Sequence, residues 1–452
     1  MAAPLDPAWQ LVISPDGRRV CRADGTPWFW LGDTAWDLFT RPTREDVELY
    51  FATRRRQGFS VIQGVALMGY HHPLNEPNVY GHRPLIDADP ARPAAGGEGE
   101  DFWTHADFII DRAAAHGLYI GLLPLWGYHV AGLQDTPVTF TIESATTYAR
   151  WIARRYADRP NIIWINGGDV VGNEHNGADI AVWHAVGQTI KAVAPHHLMT
   201  FHPAGTYGSS MCFHAEDWLD FNMIQTGHSA WDLPNYKAIG TDWHLRPTKP
   251  TLDGEPPYED HPVRWNPANG FFGPFDVRQA AYWSVFSGAF GHTYGHVNVW
   301  RFNDPAKQRG PDRFEMRDIP WKDGIRSAGA EHMTHLRNLM LSRPLDGRMP
   351  GQAVLTGTFD PNEPHQAATR GDGYAIVYSP QGYPITIDAA RLPWESHRFW
   401  WYDPRTGAAE PTDAPCDGPS LTFDCPGDRG RDCDWVLVID DARRAFPPPG
   451  SA

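Results

Sequence analysis

A chain of 452 residues exceeds what one hydrophobic core of ordinary size organises, so two domains are expected. Hydrophobic residues at 42% supply enough apolar surface for packed cores and exclude global disorder. The net charge of −15, with no basic stripe, excludes a nucleic-acid partner and favours neutral or weakly charged ligands over phosphates.

In chain order, apolar strand-like runs alternate with amphipathic helical runs. A hairpin is expected near Leu11–Val20, turning at Pro15-Asp16-Gly17. Strand one follows at Trp28–Asp33. Thr43 with Asp46 caps a helix ending near Gly58, whose basic run Arg54-Arg55-Arg56 suits the last turn of a helix. Strand two is Ser60–Leu67, followed by a Pro/Ala/Gly-rich loop from Asn75 to Glu100 and a helix over Asp101–His116. Strand three (Tyr119–Trp126), a helix (Ile142–Tyr156), strand four (Asn161–Asn166) and a helix (Ala178–Val193) repeat the pattern. Then come strands five (Leu198–His202), six (Met223–Gly227) and seven (Pro250–Gly254), a helix (Asp276–Phe290), strand eight (His292–Trp300) and a final helix (Gly329–Leu341). Eight such strands predict an α/β fold of the closed (β/α)₈ type, and no GxGxxG follows strand one to suggest a dinucleotide site. Beyond Arg343-Pro344 helical periodicity stops. The short runs Tyr374–Tyr378, Ile385–Ile387, Phe399–Tyr402, Leu421–Phe423 and Trp435–Ile439 read as an antiparallel β-sandwich. The expected domains are therefore 1–341, a barrel with its N-terminal hairpin, and 342–452, a sandwich whose tail Phe446–Ala452 is expected to be disordered.

The five cysteines, Cys21, Cys212, Cys416, Cys425 and Cys433, show neither disulfide-framework nor zinc-type spacing, although one bridge among the last three stays open for an exported protein. The N-terminus shows no basic stretch followed by an apolar one, and no apolar run is long enough to cross a membrane. The expectation is a soluble cytoplasmic protein with no membrane partner; oligomeric state stays open.

Barrels of this kind carry their chemistry where strands end and βα loops begin. Two carboxylates stand there: Asp169 after Asn166-Gly167-Gly168 at the end of strand four, and Glu255 after Asp253-Gly254 at the end of strand seven. These strands lie roughly opposite each other, so their ends can face one bound ring. Glycosidic cleavage needs one carboxyl group to protonate the leaving oxygen and a second to attack or stabilise the anomeric carbon. Around them Asp33, Trp36, Trp126, Asn166, His202, His228 and His296 are the candidate substrate-binding residues. The Trp rings suit the apolar faces of sugars, and the polar groups suit hydroxyls. Asp169 could instead cap a helix, Glu255 could be an ion-pair partner and Asp33 a loop cap. The His71-His72 pair lies in the loop after strand two, as a substrate contact or a metal ligand. His332 and His335 share one face of the last helix, read as a solvated face. Two other functions stay open at this point. One is a non-catalytic carbohydrate-binding barrel. The other is a metal-dependent hydrolase using Asp33, His202, His228 and Asp253.

The strings FWLGDTAW, INGGD, HPAG, DGEPPYE and GHTYGHVNVW resemble the apiosidase-like family of glycoside hydrolases (family 140-like) over nearly the whole chain. The resemblance implies a catalytic (β/α)₈ barrel with a C-terminal β-sandwich of the type named for collagen binding. It implies Asp169 as acid/base and Glu255 as nucleophile of a retaining mechanism, needing no metal or organic cofactor. The expected reaction is exo-acting hydrolysis of an oligosaccharide or plant-type glycoside, with a carbohydrate as substrate. Related barrels place Asn-Glu at the end of strand four; here Gly168-Asp169 stands instead, so the shorter side chain needs a different backbone path.

Overall fold

The computed structural model describes all residues except 1–7, 70–72, 98, 175–176, 308–316, 357–363, 416–417 and 452. His71, His72 and Cys416 thus lie outside the described residues. After a short hairpin pairing Leu11–Ile13 with Val20–Arg22, the chain forms eight barrel strands. These are β1 (Trp30–Thr34), β2 (Val61–Leu67), β3 (Tyr119–Leu125), β4 (Ile162–Gly167), β5 (Met199–His202), β6 (Asn222–Gln225), β7 (Thr251–Asp253) and β8 (Gly291–Tyr294). The helices between and after them are α1 (Arg44–Arg56), α2 (Phe102–Ala115), α3 (Ile142–Tyr156), α4 (Ala178–Val193), α5 (Asn235–Trp243), α6 (Pro274–Phe286) and α7 (Ala328–Leu341). A two-residue strand, Tyr207–Gly208, antiparallel to β6, and a single helical turn, Ser210–Phe213, separate β5 from β6.

Neighbouring barrel strands are parallel, in the order β5-β4-β3-β2-β1-β8-β7-β6. The seam between β5 and β6 is bridged from Asp220 N–H to Met199 O (2.8 Å) and from the Thr200 hydroxyl to Phe221 O (2.7 Å). A strand covered on both faces is mostly apolar, and every residue of β2 and β3 is buried, the polar Gln63 of β2 donating to Gly254 O (3.0 Å). The helix starts follow local chemistry. The Thr43 hydroxyl accepts from Asp46 N–H (3.2 Å) while the Asp46 carboxylate accepts from Thr43 N–H (3.3 Å), and Asp101 and Thr104 do the same for α2. Among the described residues no helix is long and apolar enough to cross a membrane.

The remainder folds as β9 (Met349–Pro350), β10 (Ala367–Gly371), β11 (Tyr374–Ser379), β12 (Ile385–Asp388), β13 (His397–Tyr402), β14 (Ala409–Thr412), β15 (Ser420–Phe423) and β16 (Trp435–Asp441). Six of these form an antiparallel sheet ordered β9-β10-β11-β16-β13-β14, and β12 pairs with β15. The alternation of side chains makes two cores from one sheet. Ala375, Val377, Leu437 and Ile439 pack on Ile385, Ile387, Leu421 and Phe423 inside the sandwich. Tyr374, Ile376, Tyr378, Val436 and Val438 face the barrel and pack with Tyr282 and Phe286 of α6 and Met333 and Leu336 of α7. The buried Arg278 of α6 crosses this interface to Asp434, with Nε–Oδ2 at 2.8 Å and Nη2–Oδ1 at 2.6 Å.

Three expectations are corrected, and one element is added. Strand eight ends at Tyr294, and His296–Trp300 turn tightly instead, with Val299 and Trp300 N–H both bonded to His296 O. Helix α5 carries no expectation from the sequence. His332 and His335 are half-buried rather than a solvated face: Arg278 Nη1 lies 2.8 Å from His332 Nδ1, and a Cβ on Gly407 would stand 2.6 Å from His335 Nδ1. The C-terminal tail is docked, with Pro449 buried, Gly450 N–H bonded to the Ser342 hydroxyl (3.2 Å) and Phe446 against Tyr374.

Candidate active site

At the end of β4 the chain makes an unusual reversal. Gly167, Gly168 and Asp169 all have positive φ, at 85°, 117° and 56°. Only glycine fits the first two positions. A Cβ on Gly167 would stand 2.6 Å from His202 O, and one on Gly168 would stand 3.0 Å from both Gly127 N and the Trp126 ring. This left-handed path brings the short Asp169 side chain to the barrel mouth. Its carboxylate accepts from the Tyr128 hydroxyl and from Gln225 Nε2 (3.4 Å).

At the end of β7, Gly254 lies against Met223, where a Cβ would come 2.5 Å from the sulfur, and Glu255 turns into the same mouth. His228 Nε2 lies 3.1 Å from Glu255 Oε1 in a hydrogen bond. His202 Nε2 lies 3.1 Å from Oε2, close enough for its dipole to act but poorly aligned for a full hydrogen bond. The backbone N–H of Asp169 points at His202 Nδ1 (3.3 Å), and that of Tyr258 at His228 Nδ1 (3.4 Å). Each ring therefore carries its hydrogen on the Nε2 that faces Glu255.

The two carboxyl groups feel opposite environments. Burial, then the negative charge of Glu255, push Asp169 up to about 6 against the opposing Tyr128 hydrogen bond. Burial would also raise Glu255, but the two imidazoles facing it outweigh burial and hold it down to about 2. One group thus keeps its proton to mildly acidic pH while its neighbour is ionised, the division that acid and nucleophile roles require.

Asp169 and Glu255 line one cavity together with Trp36, Trp126, Gln225, His228, Tyr258, His261, Trp265 and Trp300. Trp36 and Trp126 meet edge to face (5.4 Å), and Trp36 stands edge-on to His202 (5.1 Å). Of the sequence candidates, Asp169, Glu255, Trp36, Trp126 and His228 reach the cavity wall, and His202 supports Glu255 from behind it. Three others go elsewhere. Asp33 is fully buried and bound to Arg54 Nε (2.6 Å) and the Tyr50 hydroxyl, because its side chain alternates outward toward α1. Asn166 spends both amide atoms on backbone, donating to Trp183 O (3.0 Å) and accepting from Gly167 N–H (3.1 Å). His296 is buried beside Asp260 (3.4 Å). Of the residues considered for a metal, Asp253 accepts from the Thr226 hydroxyl (2.7 Å) and Asn235 Nδ2 (3.1 Å), so it does not converge with Asp33 or the two histidines. Among the described residues no three His, Cys, Asp or Glu side chains gather in a metal-binding arrangement. Tyr128, which opens the short helix Tyr128–Ala131, and His261 and Trp265, beyond the end of β7, carried no signal in the sequence. Gln225, Tyr258 and Trp300 stood in strand-end strings without an assigned role.

Residues 14–346 match the family model described as "Apiosidase-like, catalytic domain", and residues 349–440 match one described as "Putative collagen-binding domain of a collagenase". A solved structure titled "Glycoside hydrolase" is 33% identical with a TM-score of 0.88, covering 97% of this chain and 99% of its own. A glycoside hydrolase family 5 structure from Bacteroides vulgatus is 32% identical with a TM-score of 0.89, covering 98% of this chain and 97% of its own. No curated protein matches. With the barrel, the sandwich and the model match over residues 14–346 in place, the chain belongs to the apiosidase-like family of glycoside hydrolases.

Proposed function

We propose that this enzyme is an exo-acting, retaining glycosidase in which Glu255 is the nucleophile and Asp169 the acid/base. The observation that carries the reading is the opposed pair of carboxyl groups on one cavity wall, Asp169 raised to about 6 and Glu255 lowered to about 2. In the first step a Glu255 oxygen attacks the anomeric carbon while Asp169 passes its proton to the glycosidic oxygen. The C–O bond breaks and the aglycone leaves as an alcohol. Glu255 then carries the sugar as an ester and has lost its charge. Because that charge is the second-largest influence raising Asp169, the acid weakens its hold on a proton once the ester forms. It is then suited to take a proton from water, which attacks the same carbon and frees Glu255. Trp36 and Trp126, both buried at the cavity wall, would pack against the terminal sugar, and the Oε1 of Gln225 would accept from a hydroxyl. Family membership points to a terminal furanoside, with apiose the first sugar to try. The second domain, 342–452, would act as a brace for the barrel.

The test is a panel of aryl furanosides and pyranosides with the wild type, Glu255→Gln and Asp169→Ala. The expected result is no turnover by Glu255→Gln. Asp169→Ala should lose most activity but regain it with azide on a substrate bearing a good leaving group. Retention of most activity by Glu255→Gln would remove it from the nucleophile role.

A further inference from the structure

Two of the 20 tryptophans are exposed by more than a third, Trp231 and Trp265, each at 39%. Both lie on the barrel-mouth side, Trp231 in the loop after β6 and Trp265 in the loop after β7. Trp265 also lines the cavity that holds Asp169 and Glu255. Its backbone is strained, for Arg264 and Trp265 follow each other at φ 56° and 55°. Bulky side chains rarely adopt that region, and two in succession persist only where the surroundings hold them. The surroundings here do so. Arg264 N–H bonds to His228 O (2.7 Å), Trp265 N–H to Pro262 O (3.0 Å) and Val263 N–H to Gly270 O (3.0 Å). The Trp265 ring stands perpendicular to the rings of His228 and His261, both at 5.7 Å, which fixes its orientation while 39% of the residue stays exposed. Trp231 supports the same loop: a Cβ on Gly270 would stand 3.2 Å from its ring. Trp231 is itself steadied by Phe272 (5.2 Å) and by Arg431 of the second domain, whose guanidinium lies 5.3 Å from the ring centre. Trp265 is thus a fixed, part-exposed indole on the wall of the cavity that holds the two carboxyl groups.

We propose that Trp265, supported by Trp231, is the platform for the part of the substrate that projects from the cavity: the aglycone, a further sugar ring presenting its apolar face. The proposal rests on the exo-acting reading, in which the buried Trp36 and Trp126 take the terminal sugar and everything beyond the scissile bond lies outward. It also gives the second domain a role in specificity, since Arg431 reaches Trp231 from there.

The experiment compares two substrates with the same terminal sugar, a disaccharide and the glycosyl fluoride, whose leaving group offers no ring to stack. For Trp265→Ala, the ratio of kcat/KM on the disaccharide to that on the fluoride should fall about tenfold, the scale of one lost aromatic stack. Trp265→Phe should restore most of the ratio, and Trp231→Ala should lower it by a smaller factor. Equal losses on both substrates, or no change in the ratio, would overturn the proposal. Glu255→Gln on the fluoride keeps the two readings apart: turnover there would sink the catalytic assignment whatever the Trp265 ratio shows.

Discussion

Replacing His228 by Ala removes one of the two imidazoles that hold Glu255 ionised. The lost contact is a 3.1 Å hydrogen bond to a buried carboxylate. A hydrogen bond to a charged group contributes roughly 1.5–3 kcal/mol. Each pH unit corresponds to about 1.4 kcal/mol, so the loss is worth roughly 1–2 pH units. Glu255 should move from about 2 to roughly 3–4. The nucleophile must be ionised, so activity is lost as pH falls through its value. The acid must be protonated, so activity is lost as pH rises through the Asp169 value of about 6. The profile of kcat/KM against pH should therefore be flat down to pH ~3 in the wild type, and fall below roughly 3–4 in His228→Ala. The alkaline limb should stay near 6 in both, because the charge of Glu255 still faces Asp169. The assay is initial-rate hydrolysis of an aryl glycoside in constant-ionic-strength buffers, with circular dichroism at each pH to follow folding. A variant whose acid limb does not move, or whose two limbs move together, would refute the reasoning.

Other consequences are more local. Tyr128→Phe deletes a donor that favours the ionised Asp169, so the acid should keep its proton longer and the alkaline limb should move above 6, as a pH–rate profile would read. Asp33→Ala strips the partner from the fully buried Arg54; it should cost roughly 3–5 kcal/mol in denaturant unfolding with KM of the folded fraction little changed. A KM effect without a stability effect would instead return Asp33 to the substrate. Arg278→Met leaves Asp434 buried at the domain interface without its cation; it should lower Tm, with a loss on the order of 3–5 kcal/mol, and a variant as stable as the wild type would contradict the interface described here.

The barrel was legible because its strands are buried on both faces and its helices carry caps that sequence can display, as at Thr43 and Asp46. Helix α5 was not: Gly240 and Thr241 interrupt its nine residues, and only Asn235, Ile239 and Asp242 are buried. The alternating Val297-Asn298-Val299 reads as strand, yet the chain turns there because Val299 and Trp300 bond back to His296. Strand-end position picked out Asp169, Glu255, Trp36, Trp126 and His228, which line one cavity. It failed for Asp33 and Asn166, whose side chains leave the mouth for Arg54 and for backbone, a choice that pairing across the fold decides. His261 and Trp265 reach the cavity only through loop conformations, including the left-handed pair Arg264-Trp265, which composition does not announce.

The most direct test of the account is to trap the glycosyl-enzyme. Asp169→Ala, incubated with a dinitrophenyl glycoside that needs no acid assistance, should form the ester but break it down slowly. Intact mass should rise by one glycosyl group, and peptide mapping should place the group on Glu255. An adduct on another residue, or active turnover that releases sugar of inverted configuration with no adduct, would contradict the central claim.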